Sequence, residues 1–445
     1  MSRDDVSRRG VMKGIGMVTG ANLVGRGAAS STEPSNQADA GGHSAVETAP
    51  RTWPQPGGTA TKTGYRRGAK GPKSSVAFRW QHEAAARISG VVVADSTVYA
   101  SDRTSLIALA AEDGAERWRM ADSDLTSVST PAVAETLVYV GCTQTTRERA
   151  SNDDHWHSSV VALEAATGTE VWRFEPDRQA AAFCAPTVAG DIVYIIGRNF
   201  GAGTVGRLYA LDSATGALLW THETGRSGIN GYEAPPVAVE NETVYLAGDE
   251  LAALEATTGD VRWAVDAGVT YRATGQNTPA VGDDYIYVGH GTEAATTVEA
   301  RRRTDGARVW THTVQPAQHT ATGYRGAQTG VWTGAAVDDA TVYIGFNDRT
   351  PQPEGRARVL ALGAETGTVQ WQRVFNDSRV TVQTPAIADG TLYTGGAALA
   401  LADGRIRWRL DAPTDDLTNA FAPPAVADET VYVGGTSLRA ITGRL

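Results

Sequence analysis

Lysine is almost missing from this chain. Only Lys13, Lys62, Lys70 and Lys73 occur among 40 basic residues, so 36 are arginine, and 50 acidic residues leave a formal charge of −10. That balance excludes a general binder of nucleic acid or of anionic membrane. Cysteine occurs twice, at Cys142 and Cys184, with no adjacent pair and no Cys-x-x-Cys-His run for covalent haem attachment. Long apolar runs are lacking too: the weakly apolar stretch from Gly14 to Gly25 is too short to span a bilayer. The 445 residues, 41% hydrophobic, nevertheless suffice to bury a large core.

What the chain has in abundance is repetition. A Val/Leu/Ile-Tyr step recurs at Tyr99, Tyr139, Tyr194, Tyr245, Tyr287, Tyr343, Tyr393 and Tyr432. A glycine followed four residues later by tryptophan recurs as Gly114/Trp118, Gly168/Trp172, Gly216/Trp220, Gly259/Trp263, Gly306/Trp310, Gly367/Trp371 and Gly404/Trp408. In one unit, Thr187-Val188-Ala189 and Ile192-Val193-Tyr194 flank a Gly190-Asp191 hairpin, Leu208-Tyr209-Ala210-Leu211 forms a third strand, and Ala217-Leu218-Leu219-Trp220 a fourth. Polar turn residues ending in Gly216 join the last two, since glycine takes φ > 0 without penalty. Short strands at a period of about 40 to 60 residues predict a β-propeller. The eighth unit stops at Leu445 without its tryptophan strand, while Val76-Ala77-Phe78-Arg79-Trp80 is such a strand without a unit. The fold expected is therefore all-β: an eight-bladed propeller of four-stranded antiparallel blades, closed by the Trp80 strand completing the C-terminal blade.

The units Val161-Ala162-Leu163-Glu164 with Thr167-Gly168 and Trp172, and Leu208 to Asp212 with Thr215-Gly216 and Trp220, resemble the PQQ-like propeller repeats. Such repeats build quinoprotein alcohol dehydrogenases and an outer-membrane assembly lipoprotein of the same fold. The resemblance covers roughly residues 52 to 445. It implies that Trp80, Trp118, Trp172, Trp220, Trp263, Trp310, Trp371 and Trp408 dock between blades rather than line a cofactor box. The Trp53 to Tyr65 lead-in, the acidity and the scarcity of lysine resemble exported proteins of salt-loving archaea.

Residues 1–30 carry Arg8-Arg9 in a twin-arginine pattern, which predicts export by that route to the cell surface or the medium. Residues 31–51, rich in Ser, Thr, Pro, Ala and Gly, read as a disordered tether, and 52–445 as one propeller.

Strand order predicts that the loops between second and third strands, and those leading into each first strand, share one face. Phe183, Tyr232, Tyr271, Arg272, His319, Tyr324, Arg325 and Trp332 gather there as a candidate surface for a protein or small-ligand partner. His155 and His157 lie on one side of an extended segment as weak metal candidates, with no third ligand set by spacing. Cys142 and Cys184 lie on the same face and are candidates for a bridge. The enzyme family of the resemblance stacks its quinone between adjacent cysteines and a tryptophan beside a calcium ion. Here Trp332 is offered as a stacking residue and Asn277 or Asp348 as calcium ligands, but no catalytic residue is singled out. The reading is an exported, monomeric, non-catalytic binding or scaffold propeller; the alternative is a PQQ- and calcium-dependent dehydrogenase of alcohols or sugars.

Overall fold

The computed structural model describes residues 52–147, 154–177, 180, 182–198, 205–226, 235–248, 250–265, 278–291, 296–314, 330–348, 357–375, 381–410 and 422–444. These form eight antiparallel sheets of four strands, with the innermost strand split in two of them. Blades are numbered one to eight by their tyrosines, from Tyr99 to Tyr432. The splits fall at Ser129-Thr130-Pro131 in blade two and Cys184-Ala185-Pro186 in blade three, where proline lacks the N–H that a continuous ladder needs. Three of the hairpins joining first and second strands put two non-glycine residues at positive φ: Asp95-Ser96, Asn241-Glu242 and Asp428-Glu429. That is the backbone of a two-residue turn whose twist matches its strands.

Core side chains lie between blades. Tyr99, Ala108 and Trp118 of blade one pack with Val133, Val138 and Val140 of blade two, and the pattern repeats around the ring. Each docking tryptophan donates its indole N–H to a carbonyl in the next blade, at 2.7 to 2.9 Å: Trp80 to Ala111, Trp118 to Ala165, Trp172 to Ser213, Trp220 to Ala256, Trp263 to Arg303, Trp310 to Ala364, Trp371 to Leu401 and Trp408 to Pro72. The same carbonyl often takes a second bond from the repeated tyrosine: Tyr139 to Ser213, Tyr194 to Ala256, Tyr287 to Ala364 and Tyr393 to Pro72. One acceptor with two lone pairs thus ties both signature aromatics of a blade to its neighbour. The repeated glycine is required twice over. At Gly216 φ is +72°, and a Cβ there would sit 2.5 Å from the ring of Trp172.

Closure follows the same rule with different covalent chemistry. Val76–Glu83 pairs antiparallel with Ser437–Gly443, setting Trp80 opposite Ala440, so the outer strand of blade eight comes from the other end of the chain.

Candidate functional site at the channel axis

Two faces follow from strand order. The lower face carries the hairpins between first and second strands and the turns between third and fourth; the upper face carries the remaining loops. At the lower mouth of the central channel, the lead-in from Thr52 makes one circuit of the axis. Trp53 exchanges two backbone bonds with Val93 of blade one, 2.6 and 2.9 Å, and Pro54 O accepts from Val133 N of blade two at 2.7 Å. In blade three the Gln55 side chain substitutes for backbone: Val188 N donates to Oε1 at 3.1 Å and Nε2 donates to Val188 O at 3.2 Å. Ala60, Thr61, Thr63 and Gly64 then offer their carbonyls in turn to Val239, Val281, Val337 and Ile387, one in each of blades four to seven, at 2.7 to 2.9 Å. All seven partners occupy the same position of the first strand, opposite the residue before the repeated tyrosine.

The circuit is also bonded to itself. Gly64 N donates to Gly57 O at 2.9 Å, and the Arg66 guanidinium donates to both Thr52 O and Thr52 Oγ1 at 2.8 Å. Lys62, 3% exposed and at φ 58°, donates from Nζ to Gln55 Oε1 at 3.2 Å. Burial lowers the Lys62 ammonium to about 7, offset in part by the nearby Cys184. Sequence reasoning missed Gln55, Lys62 and Arg66 because most of the contacts are carbonyl bonds with no side-chain signature. One signal was available: three of the four lysines fall between residues 62 and 73.

On the upper face, second and third strands extend beyond their neighbours in blade two. Leu137–Arg147 and Asp154–Glu164 pair along eleven residues, so blade two carries the tallest hairpin among the described residues. His157 is exposed and opposite Gln144, while the side chain of His155 lies outside the described residues. Among the described residues no group of three or more His, Cys, Asp or Glu side chains is placed to hold a metal ion. Tyr232, Tyr271, Arg272, Asn277, His319, Tyr324 and Arg325 lie outside the described residues, as do Arg8 and Arg9 and the side chain of Asp348.

Phe183 and Trp332 are corrected by the structure. Expected on an exposed binding surface, they are 2% and 0% exposed. Both lie in the upper part of a first strand, and each drops onto a glycine of the preceding blade, Phe183 against Gly141 and Trp332 against Gly289. Val382 and Ile88 do the same against Gly345 and Gly434. They form an upper tier of inter-blade contacts above the docking tryptophans.

The bridge between Cys142 and Cys184 is absent; both thiols are free and buried. Cys184 has a different task. Its Sγ accepts from Ile196 N at 3.2 Å, as Ser129 Oγ accepts from Gly141 N and Thr333 Oγ1 from Gly345 N, both at 2.9 Å. The thiol therefore stands in for a hydroxyl at a repeated position. Cys142 packs among Val128, Val140 and Val161, and burial pushes its thiol up to about 12.

One interface departs from the apolar rule. Glu299 and Arg301 of blade five occupy positions held by Val161 and Leu163 in blade two and by Leu360 and Leu362 in blade six. They are 1% and 7% exposed and paired, Arg301 Nε to Glu299 Oε1 at 2.6 Å, and Arg301 also donates to Gly306 O at 2.9 Å. This pair anchors the turn on which Trp263 sits. Below it, an open cleft of 610 Å³ between blades four and five is lined by Tyr245, Trp263, Asp283, Arg302 and Arg303. Its Arg303 guanidinium is already engaged by Tyr245 Oη and the carbonyls of Gly282 and Asp283.

With this geometry in view, the sequence profile described as "Outer membrane protein assembly factor BamB" matches residues 72–152, 157–345 and 295–445. The chain belongs to that family. Among curated proteins it is similar to a polyvinylalcohol dehydrogenase of Sphingopyxis sp. (strain 113P3), 24% identical over 78% of this chain and 64% of the relative. The chain thus spans about two thirds of the length of that relative. Among solved structures it resembles a quinohemoprotein alcohol dehydrogenase from Comamonas testosteroni, with TM-score 0.64, 15% identity and coverage of 89% of this chain and 81% of that one. It also resembles BamB from Moraxella catarrhalis, with TM-score 0.56, 16% identity and coverage of 83% and 98%. The fold frame therefore serves both dehydrogenases and an assembly factor. Tested against a stacked quinone, Trp332 does not fit: its ring is enclosed between blades five and six, edge-on to Phe346 at 5.1 Å between centroids, and offers no open face.

Proposed function

We propose that the chain is an exported, non-catalytic binding or scaffold propeller whose upper loop face takes a protein or small-ligand partner. The observation that carries this reading is the placement of the residues that the enzyme resemblance would use. Trp332 is an inter-blade contact, Cys184 caps a backbone N–H and Cys142 packs in an apolar cluster, so among the described residues no cysteine and tryptophan frame a slot for a planar cofactor. The near-complete overlap with the BamB chain supports it. The twin arginines Arg8 and Arg9 support export, and the net acidity supports a partner other than nucleic acid.

A second reading, PQQ- and calcium-dependent oxidation of alcohols or sugars, draws on the likeness to the polyvinylalcohol dehydrogenase. Purification from the exported fraction, followed by mass spectrometry and absorption spectroscopy, separates the two. A co-purifying partner lost on joint Tyr324→Ala and Arg325→Ala substitution supports the scaffold. Dye-linked alcohol or sugar oxidation that depends on added quinone and calcium overturns it.

A further inference from the structure

We propose that the lower mouth of the channel is a peptide-binding site, which this chain fills with its own residues 52–66 as a tethered ligand. The receptor is a ring of equivalent main-chain N–H groups, those of Val93, Val133, Val188, Val239, Val281, Val337 and Ile387. Carbonyls answer six of them and a glutamine amide the seventh, so the ring recognises a looped peptide that curls around the axis and presents one acceptor to each blade, its turns set by Gly57, Gly58, Lys62 and Gly64 at positive φ. Two anchors add sequence selectivity. Trp53 is 2% exposed and belongs to the buried cluster that includes Val91 and Val93 of blade one. Gln55 bonds blade three through both ends of its amide and receives Lys62 Nζ.

Blade closure uses the chain after this segment. Gly71 and Pro72 pack at the seam and the closing strand Val76–Glu83 follows, while the exposed Arg67 and Gly68 separate them from the lead-in. Lead-in and ring therefore meet through non-covalent contacts joined by one exposed connection. The ligand class is a looped peptide that opens with Trp-Pro-Gln.

A specific protease site inserted between Arg67 and Gly68 of the full chain tests this. After cleavage, fragment 1–67 is expected to co-elute with 68–445 under native conditions. A labelled peptide of residues 52–67 in excess should displace it, and the same peptide with Trp53→Ala and Gln55→Ala should bind at least tenfold more weakly. Loss of the fragment on gel filtration with no binding of added peptide overturns the proposal. So does a cleaved chain that unfolds, or one that holds its fragment but never exchanges it. Equal binding of wild-type and doubly substituted peptides also overturns it, because the anchors then contribute nothing.

Discussion

Seven blade interfaces are built around turns that the chain makes locally, and the eighth, between blades seven and eight, is built from its two ends. In the local interfaces the acceptor for tryptophan and the glycine beneath its ring belong to one tight turn, as with Ala364 and Gly367 under Trp310. At the seam no such turn exists, because the third strand of blade eight ends near Gly443 and the fourth starts at Val76. Pro72 O takes the place of the turn carbonyl and accepts from both Trp408 and Tyr393. Gly71 allows the close approach, since a Cβ there would lie 2.5 Å from Tyr393 Oη. Arg444 N donates to Ser75 O at 2.6 Å, holding the two ends in the register a turn would otherwise impose. What the docking aromatics require is a carbonyl and an open space at fixed positions; covalent continuity is one way of supplying them.

The largest effect is expected where both ends are tested. Deleting residues 52–83 removes the closing strand and the axial circuit, and deleting 430–445 removes two strands of blade eight. Both should abolish cooperative thermal unfolding followed by circular dichroism, because an opened ring exposes sheet edges and two blade faces. A midpoint unchanged by the first deletion would break the comparison.

A glycine pair sharpens it. Gly367→Ala should destabilise by about 3 kcal/mol, combining strain at φ +67° with a 2.5 Å clash on Trp310. Gly71→Ala carries no φ strain but meets Tyr393 Oη at 2.5 Å and Cζ at 2.9 Å, and is expected to lose about 2 kcal/mol in urea unfolding. Equal losses would mean that the seam is as tightly determined as a local turn.

Lys62 gives a pH-dependent test of the axial circuit. Its folded value, lowered to about 7, lies below an unfolded value of about 10.4, so between these limits the unfolded chain binds more protons. Stability should therefore rise with pH from about 7 to about 10, by up to about 1.4 kcal/mol per pH unit from this group. Lys62→Met should flatten that rise while leaving the acid limb unchanged. An identical pH profile would show that Lys62 is solvated in the folded protein.

The smallest effect is expected at Cys184. Cys184→Ser should change stability by less than about 1 kcal/mol, because Ser129 and Thr333 already do the same work in blades two and six. Thiol titration in denaturant without reductant should count two free groups; a count of zero would restore the bridge.

The blades were legible because their determinants lie close together in the chain. Tyrosine, turn glycine and tryptophan recur in register, and the orphan Trp80 strand pointed to ring closure. Phe183 and Trp332 were misplaced because an aromatic residue next to a loop reads as exposed until the glycine of another blade is brought beneath it. The role of Cys184 left a trace: Ser129-Thr130-Pro131, Cys184-Ala185-Pro186 and Gln383-Thr384-Pro385 align, which marks the cysteine as one of a polar series.

The sequence by itself determined the repeat, the strand alternation and the number of blades, because these rest on local backbone preference and on residues a few positions apart. Only the tertiary structure decided which carbonyl each tryptophan meets, that Pro72 replaces a turn at the seam, and that residues 52–66 encircle the axis. Those contacts join atoms separated by tens to hundreds of residues, and most use main-chain groups that every residue carries, so no pattern of side chains announces them.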